Sequence, residues 1–304
     1  MRIMILGANG FIGRRILKHL SIHHQVLACS LHPDILPEEG YRFETLNVLD
    51  NNATNAALNA FCPGIIINAS ALSAVDYCEQ HQEETFAMNV TAVKLLAEYS
   101  QTKGCRFIHL STDFVFDGTL TRAYTETDIT NPVNYYGKTK RWGEEAIEQI
   151  CTDYAIVRVE VVYGKPLAGQ HGNIVHLVKT RLENGQSIRV VSDQFRSPTW
   201  VEDIARAIEL LLLSHHQGIY HICGHETMSV ADIAYRTAKH FHLDTSLIQP
   251  VTTEEMNEAT PRPLYSPMDT EKAHRELKFS SSSFEYGLKE WQLNESMLTR
   301  EGAK

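Results

Sequence analysis

The sequence has no excess of basic residues, no paired cysteines and no long hydrophobic run. Its net charge of −9 argues against a general nucleic-acid surface, which would need a basic face. The six cysteines form no C-x-x-C pair, so we expect free thiols in a reducing compartment rather than disulfides. The longest apolar run, around residues 208–213, is far too short to cross a bilayer. Neither nucleic acid nor a membrane is therefore an expected partner.

Targeting and metal-binding signals are also missing. The start, MRIMILG, runs directly into a predicted strand and has no small-residue cleavage site, which predicts no secretory signal and a cytoplasmic location. Fifteen histidines are present, but none lies near a second set of ligands at zinc spacing. We therefore predict no metal site.

Short apolar segments alternate with helical ones through the first half of the chain. RIMILG, QVLAC, GIIINAS and RFIHLS are typical of buried parallel strands, and amphipathic helical stretches separate them. This alternation predicts an α/β fold, a Rossmann-type doubly wound parallel sheet with a smaller C-terminal α/β substrate-binding part. The predicted division is a nucleotide-binding domain over 1–164, to which later elements may return, a substrate-binding part over 165–293 and a loose tail over 294–304.

The first strand ends in GANGFIG, which places Gly7, Gly10 and Gly13 at the start of a helix. Glycine keeps such a turn tight and lets the backbone approach a pyrophosphate, while the free N–H groups of the helix attract the anion. At the first strand–helix junction of an alternating chain, this pattern predicts a dinucleotide site. An ordinary glycine-rich turn is the alternative.

The end of the second strand bears on the choice between NAD and NADP. An NAD site usually has an acidic residue there, but this segment reads CSLHPD and its first acid, Asp34, falls beyond a proline. Ser30 and His32 could donate hydrogen bonds to a 2′-phosphate. The segment has no arginine, so the sequence favours NADP only slightly and leaves NAD open.

Three residues in the middle of the chain suit carbonyl reduction. The fourth predicted strand ends HLSTDFVFDG, which puts Thr112 at the carboxyl edge of the sheet, where ligands bind in such folds. Tyr136 and Lys140 follow four residues apart, on one face of a predicted helix that starts near Val133. Thr112 would hold the substrate oxygen and Tyr136 would donate a proton. Lys140 would lower the pKa of Tyr136 by its charge and bind the nicotinamide ribose.

The chain resembles the dTDP-4-dehydrorhamnose reductase family of the extended short-chain dehydrogenase/reductase superfamily. The resemblance lies in LGANGFIG, NASALSAVDYCE, FAMNVTAV, HLSTDFVFDG, NPVNYYGKTKRWGE, SDQFRSPTWVEDIA and RPLYSPMDTEK, in the order and at the spacing of the family. It implies NAD(P)H-dependent reduction of the 4-keto group of a nucleotide-linked 6-deoxyhexose, as in dTDP-L-rhamnose synthesis. The expected partner is a nucleotide-sugar substrate, and the protein is expected to be a monomer or homodimer.

The resemblance also implies roles for individual residues. Thr112, Tyr136 and Lys140 would be the catalytic trio, and Asn89 would support a water relay near Lys140. The residues expected to bind cofactor, besides Tyr136 and Lys140, are Gly7, Asn9, Gly10, Phe11, Ile12, Gly13, Ser30, Val48, Leu49, Ala69, Ser70, Ala71 and Asn89. The residues expected to bind substrate are Ser73, Val75, Asp113, Phe114 and Arg262.

One segment departs from the family pattern and opens other interpretations. Where family reductases often have Ser-Trp, VRVEVVYG has Glu160 and Val161; valine cannot stack as tryptophan would, and an acid beside a diphosphate is unfavourable. The same family contains the regulatory β subunit of methionine adenosyltransferase, which this chain also resembles. An NADP-binding regulatory protein with little turnover, or a reductase or epimerase of another nucleotide sugar, therefore remains an alternative.

Overall fold

The computed structural model describes residues 1–214 and 216–301. The strands are β1 (Arg2–Leu6), β2 (Gln25–Ser30), β3 (Tyr41–Thr45), β4 (Ile65–Asn68), β5 (Arg106–Thr112), β6 (Tyr154–Val159), β7 (Val162–Tyr163), β8 (Ile188–Val191), β9 (Phe195–Arg196), β10 (Thr199–Trp200), β11 (Gly218–Ile222), β12 (Met228–Ser229) and β13 (Ile248–Val251). The helices are α1 (Phe11–Leu20), α2 (Asn51–Phe61), α3 (Val75–Gln80), α4 (Gln82–Phe86), α5 (Ala92–Lys103), α6 (Tyr135–Ile150), α7 (Ile174–Glu183), α8 (Val201–Leu213), α9 (Val230–His240), α10 (Thr253–Met256), α11 (Glu271–Leu277) and α12 (Phe284–Glu301). A π-helical turn spans Ala87–Thr91, and 3-10 turns span Asp113–Val115 and Thr245–Leu247.

Seven strands form one sheet in the order β11-β6-β5-β4-β1-β2-β3, and every neighbouring pair is parallel. The predicted fold class, a Rossmann-type parallel sheet, is confirmed. The chain crosses between β1 and β4 at the centre of the sheet, where the strand order reverses. In open α/β sheets a crevice for ligands lies at this point, outside the carboxyl ends of the strands.

One strand is absent from the sequence-based prediction. Residues 41–45, YRFET, form β3 at the edge of the sheet, so the strand that ends in Thr112 is the fifth and not the fourth. β3 is half exposed and alternates polar with apolar residues, because only one side of an edge strand packs on neighbours. It therefore lacks the continuous apolar run that marks the buried strands.

Helices cover both faces of the sheet. On one face, side chains of α1, α8 and α11 pack on the strands, with Ile16, Ile208 and Leu277 among them. On the other face the same is true of α2, α5 and α6, through residues such as Leu58 and Leu96. No helix in residues 1–214 and 216–301 is both long and apolar enough to span a membrane. All six cysteines are free, and five of them are buried.

Elements from the second half of the chain lie partly in the large sheet and partly in a smaller C-terminal unit. β11 returns to the large sheet beside β6, with α8 and α11 packed against it. The remaining elements form a smaller unit in which β8 pairs with β13 and β9 with β12, under α7 and α9. α12 runs through Glu301, so the segment expected to be a loose tail is helical up to that residue, and 302–304 lie outside the described residues.

A buried ion pair joins α6 to the sheet. The Arg158 guanidinium, on β6, donates two hydrogen bonds to the Glu144 carboxylate at 2.9 and 2.7 Å, and both side chains are 1% exposed or less. Arg158 and Arg141 hold the pKa of Glu144 below its usual value although burial alone would raise it. The pair fixes the helix that contains Tyr136 and Lys140 against the strand next to β5.

We expect Arg158→Met to lower the free energy of unfolding by about 3 kcal/mol, because it leaves the Glu144 carboxylate buried without its main partner. The double variant Arg158→Met/Glu144→Met should recover most of that loss, since an apolar pair of similar volume has no charge to desolvate. Urea unfolding followed by circular dichroism measures both. A double variant no more stable than the single one would contradict this account.

Candidate active site

A cavity of about 720 Å³ opens at the carboxyl edge of the sheet, between the large sheet and the smaller C-terminal unit. Its wall combines residues from the ends of β4 and β5, the starts of α1 and α6, and the segments around β8 and Arg262. The structure thus brings together, on one surface, most of the residues selected from the sequence: Phe11, Ile12, Ala69, Ser70, Ala71, Ser73, Val75, Thr112, Asp113, Phe114, Tyr136, Lys140 and Arg262.

The glycine loop is shaped by close backbone contacts. A Cβ on Gly13 would lie 2.1 Å from the carbonyl oxygen of Gly7, and one on Gly7 would lie 2.6 Å from the backbone nitrogen of Ser70. Gly7 also has a φ of +81°, which favours glycine. At the start of α1 no side chain of the described chain caps the first turn, so its N–H groups are left for a ligand, and Phe11 and Ile12 of that turn line the cavity. A loop with this shape can hold a pyrophosphate.

The loop after β2 folds back onto the glycine loop. The Asn9 amide donates to the backbone oxygens of His32 and Pro33 at 3.0 and 2.8 Å. Asp34 accepts from the guanidinium of Arg14 at 2.8 Å and from the hydroxyl of Tyr41 at 2.7 Å. The segment itself has no arginine, but α1 supplies one, and it neutralises the acid beyond the proline.

The remaining residues expected to contact the adenosine half of a cofactor lie off the cavity wall. Ser30 ends β2 and is partly exposed, Val48 is buried, and Leu49 is exposed on the surface. Asn9 uses its side chain to fix the loop, so its expected cofactor contact would come from its backbone. These assignments stay predictions.

α6 begins against the turn that follows β5. Asn134 caps the helix by accepting from the Gly137 N–H at 2.9 Å, and its amide donates to the Pro261 carbonyl at 2.9 Å. A Cβ on Gly137 would lie 2.1 Å from the Phe114 carbonyl oxygen, so only glycine permits this approach. The helix therefore starts at Tyr135, two residues later than expected, because the cap is at Asn134.

Tyr136 lies beside Thr112 and packs edge-on against Phe114, with ring centroids 5.8 Å apart. Burial raises the pKa of Tyr136 above its ordinary value and the charge of Asp113 raises it further, while Thr112 lowers it. The prediction that the charge of Lys140 lowers the pKa of Tyr136 is therefore wrong for this structure. Thr112 Oγ1 donates to Asp113 Oδ1 at 3.0 Å and accepts from the Phe114 N–H at 3.2 Å. The one hydrogen of this hydroxyl is directed at Asp113, and its contact with the substrate oxygen stays a prediction.

Lys140 is buried under the end of β5. Its Nζ donates to the Leu110 carbonyl at 2.7 Å and lies 3.1 Å from His109 Nε2. Burial lowers the pKa of Lys140 to about 8, and burial together with Lys140 lowers the pKa of His109 well below its usual value. The imidazole is therefore neutral, and it ties the lysine to Asn68 of β4, 3.2 Å from His109 Nδ1. Sequence reasoning missed His109, although it lies three residues before Thr112.

Asn89 lies in the π-helical turn, behind the cavity wall. Its side chain accepts from the Leu72 N–H at 3.0 Å, donates to the Leu72 carbonyl at 2.9 Å and contacts Thr139 Oγ1 at 3.1 Å. A Cβ on Gly143 would lie 2.6 Å from the Asn89 carbonyl, so α6 passes close to this turn. Asn89 thus braces the segment that includes Ser70 and Ala71 against the helix of Lys140.

Tyr135 points away from the trio. Its ring lies edge-on to Trp142 at 5.9 Å, and its N–H donates to Glu79 at 2.9 Å. Adjacent positions on a helix diverge by about 100°, so only one of the two tyrosines can share a face with Lys140. The structure places Tyr136 on that face.

Three arginines line the substrate side of the cavity, and each has a hydrogen-bond or ion-pair partner in the protein. Arg262 is paired with Glu258 at 3.0 Å and with Asp76 at 3.4 Å. Arg189 and Arg196 also line the cavity and were not selected from the sequence. Both arginines lie in the SIRVVSDQFRSPT segment, where each directly follows an apolar residue, and this pattern could have indicated them.

Val161 lies on the cavity wall with a φ of +35°, a strained conformation for a β-branched residue. Glu160, its neighbour, is buried and lies behind Asp113 instead of facing the cavity. The acid that departs from the family pattern therefore does not meet a ligand in the cavity directly.

Comparison with known proteins identifies relatives along nearly the whole chain. The family model of the RmlD substrate binding domain matches residues 1–296. The spore coat polysaccharide biosynthesis protein SpsK of Bacillus subtilis is 33% identical over 87% of this chain and 88% of its own length. Methionine adenosyltransferase 2 subunit beta of Xenopus laevis is 34% identical over 95% of this chain and 86% of its own. A dTDP-4-dehydrorhamnose reductase of Aggregatibacter actinomycetemcomitans is 30% identical over 95% of this chain and 97% of its own.

Solved structures that resemble this chain include enzymes with the same name as the last of these relatives. A dTDP-4-dehydrorhamnose reductase of Clostridium acetobutylicum has a TM-score of 0.86 at 29% identity, over 96% of this chain and 98% of that one. The enzyme of the same name from Bacillus anthracis, solved in complex with NADP, has a TM-score of 0.83 at 27% identity, over 96% of this chain and 99% of that one.

We expect Gly13→Ala to destabilise the protein by about 2–3 kcal/mol, because the new methyl group would collide with the backbone of Gly7. The matched control is Gly10→Ala, whose Cβ would lie 3.0 Å from the same oxygen and whose φ of −64° suits alanine. It should cost less than about 1 kcal/mol. Thermal unfolding of both variants tests the order, and equal losses would show that the close approach is not needed.

Proposed function

The chain belongs to the RmlD substrate binding domain family, and on that premise we propose that it reduces the 4-keto group of a nucleotide-linked 6-deoxyhexose. That it is an NAD(P)H-dependent oxidoreductase agrees with its reductase relatives. The proposed substrate is dTDP-4-dehydrorhamnose and the proposed product dTDP-L-rhamnose. The observation that supports this most directly is the meeting of Thr112, Tyr136 and Lys140 at one edge of the sheet beside the glycine loop.

The residues present fit a dinucleotide. The glycine loop leaves a cradle that a Cβ on Gly7 or Gly13 would fill, and Phe11, Ile12, Ala69, Ser70 and Ala71 continue its surface into the cavity. When bound, a reduced nicotinamide supplies a hydride to the carbonyl carbon. The Arg14–Asp34 pair removes an unpaired acid from the adenosine side, which favours NADP without excluding NAD.

Tyr136 is the proposed proton donor. As the ketone is reduced, its oxygen gains negative charge, and the phenol O–H of Tyr136 transfers its proton to that oxygen to form the alcohol. Thr112 lies beside the phenol, and its own hydroxyl donates to Asp113. Lys140 stabilises the phenolate left behind by its positive charge.

The substrate side is proposed to comprise Ser73, Val75, Asp113, Phe114 and Arg262. Arg262 would exchange its contacts with Asp76 and Glu258 for the diphosphate, because a guanidinium binds phosphate oxygens strongly. Arg189, on the opposite wall, is a second cation for the same group. Val161 leaves open the space that a tryptophan would occupy.

A second candidate is supported by the similarity to methionine adenosyltransferase 2 subunit beta. In that case the protein would bind NADP and a partner enzyme and turn over little substrate. Absorbance of NADPH in the presence of a dTDP-4-keto-6-deoxyhexose separates the two candidates. Oxidation above that of a Tyr136→Phe variant supports the reductase, and tight NADP binding with no oxidation supports the regulatory protein.

We expect Tyr136→Phe to lower kcat by roughly 10²–10⁴-fold, the range for a positioned proton donor. Cofactor affinity, measured by quenching of protein fluorescence, should stay within about threefold of the wild type. Tyr135→Phe is the matched control, since that ring faces Trp142, and it should keep wild-type turnover. Equal losses in both variants would contradict the assignment.

We expect kcat/KM to fall as the pH rises through about 8, the pKa of Lys140 in the free enzyme, because the ammonium is present below that pH and lost above it. Lys140→Met should lower kcat/KM, weaken cofactor binding and remove this step from the pH profile. Lys138→Met, an exposed position on the same helix, is the control. A step near pH 8 that survives in Lys140→Met would assign it to another group.

A further inference from the structure

Behind the catalytic edge lies a buried cluster of two carboxyl groups and one guanidinium. Asp113, Glu160 and Arg196 are 2%, 1% and 3% exposed. Ser266 bridges the two acids: its Oγ lies 2.6 Å from Asp113 Oδ2 and 3.3 Å from Glu160 Oε1. Arg196 acts on both acids through its charge, while its guanidinium donates to Gln194 Oε1 and to the Phe195 and Pro263 carbonyls. Because a buried net charge is costly, two carboxylates near one guanidinium favour the uptake of one proton.

The hydrogen bonds indicate where that proton lies. A serine hydroxyl has one hydrogen, and the 2.6 Å contact with Asp113 has the length of a hydroxyl donating to a carboxylate. Ser266 then has no second hydrogen for its longer contact with Glu160, and a protonated Glu160 that donates to Ser266 fits this pattern. Burial raises the pKa of Asp113 as well, while Arg196, Ser266 and Thr112, from which Asp113 accepts at 3.0 Å, favour its ionised form.

Glu160 has fewer partners that favour its charge. Oε2 of Glu160 has no hydrogen-bond partner within the described residues. The groups that face its carboxyl are Asp113, Arg196, the Ser197 N–H, Ser266 and the Cys223 thiol. Burial and the nearby Asp113 raise the pKa of Glu160 well above its usual value, against the weaker opposite effects of Arg196, Ser197 and Ser266.

We propose that Glu160 is a neutral carboxylic acid which, through Ser266, keeps Asp113 ionised and so fixes the direction of the Thr112 hydroxyl beside Tyr136. The hydrogen bonds run in one direction: Glu160 donates to Ser266, Ser266 to Asp113, and Thr112 to Asp113 from the other side. Glu160 is thus a positioning residue, and its catalytic consequence rests on the proposed reductase function. The proposed protonation of Glu160 does not depend on the reductase function.

The first test is the pH dependence of stability, which needs no substrate. Glu160 has an ordinary pKa of 4.5 in the unfolded chain, so folding takes up a proton at higher pH. The stability of the wild type therefore falls as the pH rises from the pKa of Glu160 in the unfolded chain towards its higher pKa in the folded protein. Glu160→Gln has no carboxyl group at this position, so its stability does not show this fall. The melting temperature of Glu160→Gln relative to the wild type should rise by several degrees between about pH 5 and about pH 8.

Two variants make this result specific. Glu98→Gln, an exposed position on α5, should show a constant difference from the wild type over the same range. If the difference in melting temperature from the wild type is constant with pH for Glu160→Gln but grows with pH for Asp113→Asn, the proton lies on Asp113 and the proposal is overturned. If Glu160→Gln does not fold, carbon-13 spectra of wild-type protein labelled at glutamate carboxyl carbons decide: one neutral glutamic acid at neutral pH supports it, and none overturns it.

The second test is kinetic. Glu160→Leu cannot donate to Ser266, so its kcat should fall about tenfold, whereas Glu160→Gln, which still can donate, should recover most of the wild-type kcat. Asp113→Asn lacks the charge that orients Thr112, and kcat should fall about tenfold, in addition to any rise in KM caused by the loss of a substrate contact. A rise in KM alone would limit Asp113 to substrate binding and overturn the positioning role. Absence of turnover in the wild type, with the stability result intact, would instead refute the proposed reductase function.

Discussion

The parallel pairing of β1, β4, β5 and β6 is the constraint on which the site depends. It brings the carboxyl ends of these strands to one edge, so that the glycine loop, Ser70 and Thr112 face a common crevice although they are far apart in sequence. The helix α6 must then pass close enough for Tyr136 to reach Thr112. Gly137 makes this possible, since any side chain at that position would meet the Phe114 carbonyl.

The sequence was sufficient for the features that have a local signal. Short apolar segments identified β1, β2, β4 and β5 of the large sheet, and the glycine spacing placed the phosphate loop. β3 was missed because an edge strand has no continuous apolar run, and its YRFET sequence also suits a surface loop. The start of α6 was misplaced by two residues, since a cap depends on the backbone conformation at Asn134 and not on residue type alone.

The site itself was predictable as a set of residues but not as a hydrogen-bond network. Tyr136 and Lys140 share a helix face by spacing, but the partners of Lys140 come from β5, through His109 and Leu110. The sequence predicts Thr112 as a substrate contact, but not the hydrogen bond that it donates to Asp113. Such contacts depend on side chains from segments distant in sequence, such as Ser266, and no local pattern encodes which hydroxyl donates to which acid.

The position of β11 affects how the protein can be made in a cell. β6 has β5 on one side, and on the other side only β11, which follows nearly sixty residues later in the chain and pairs with it in parallel. During translation the large sheet cannot be completed until residues 218–222 have left the ribosome. Until then β6, an almost wholly buried strand in the finished protein, presents unpaired backbone groups to its surroundings. The nascent chain therefore passes through a stage at which the free edge of β6 is open to non-native pairing.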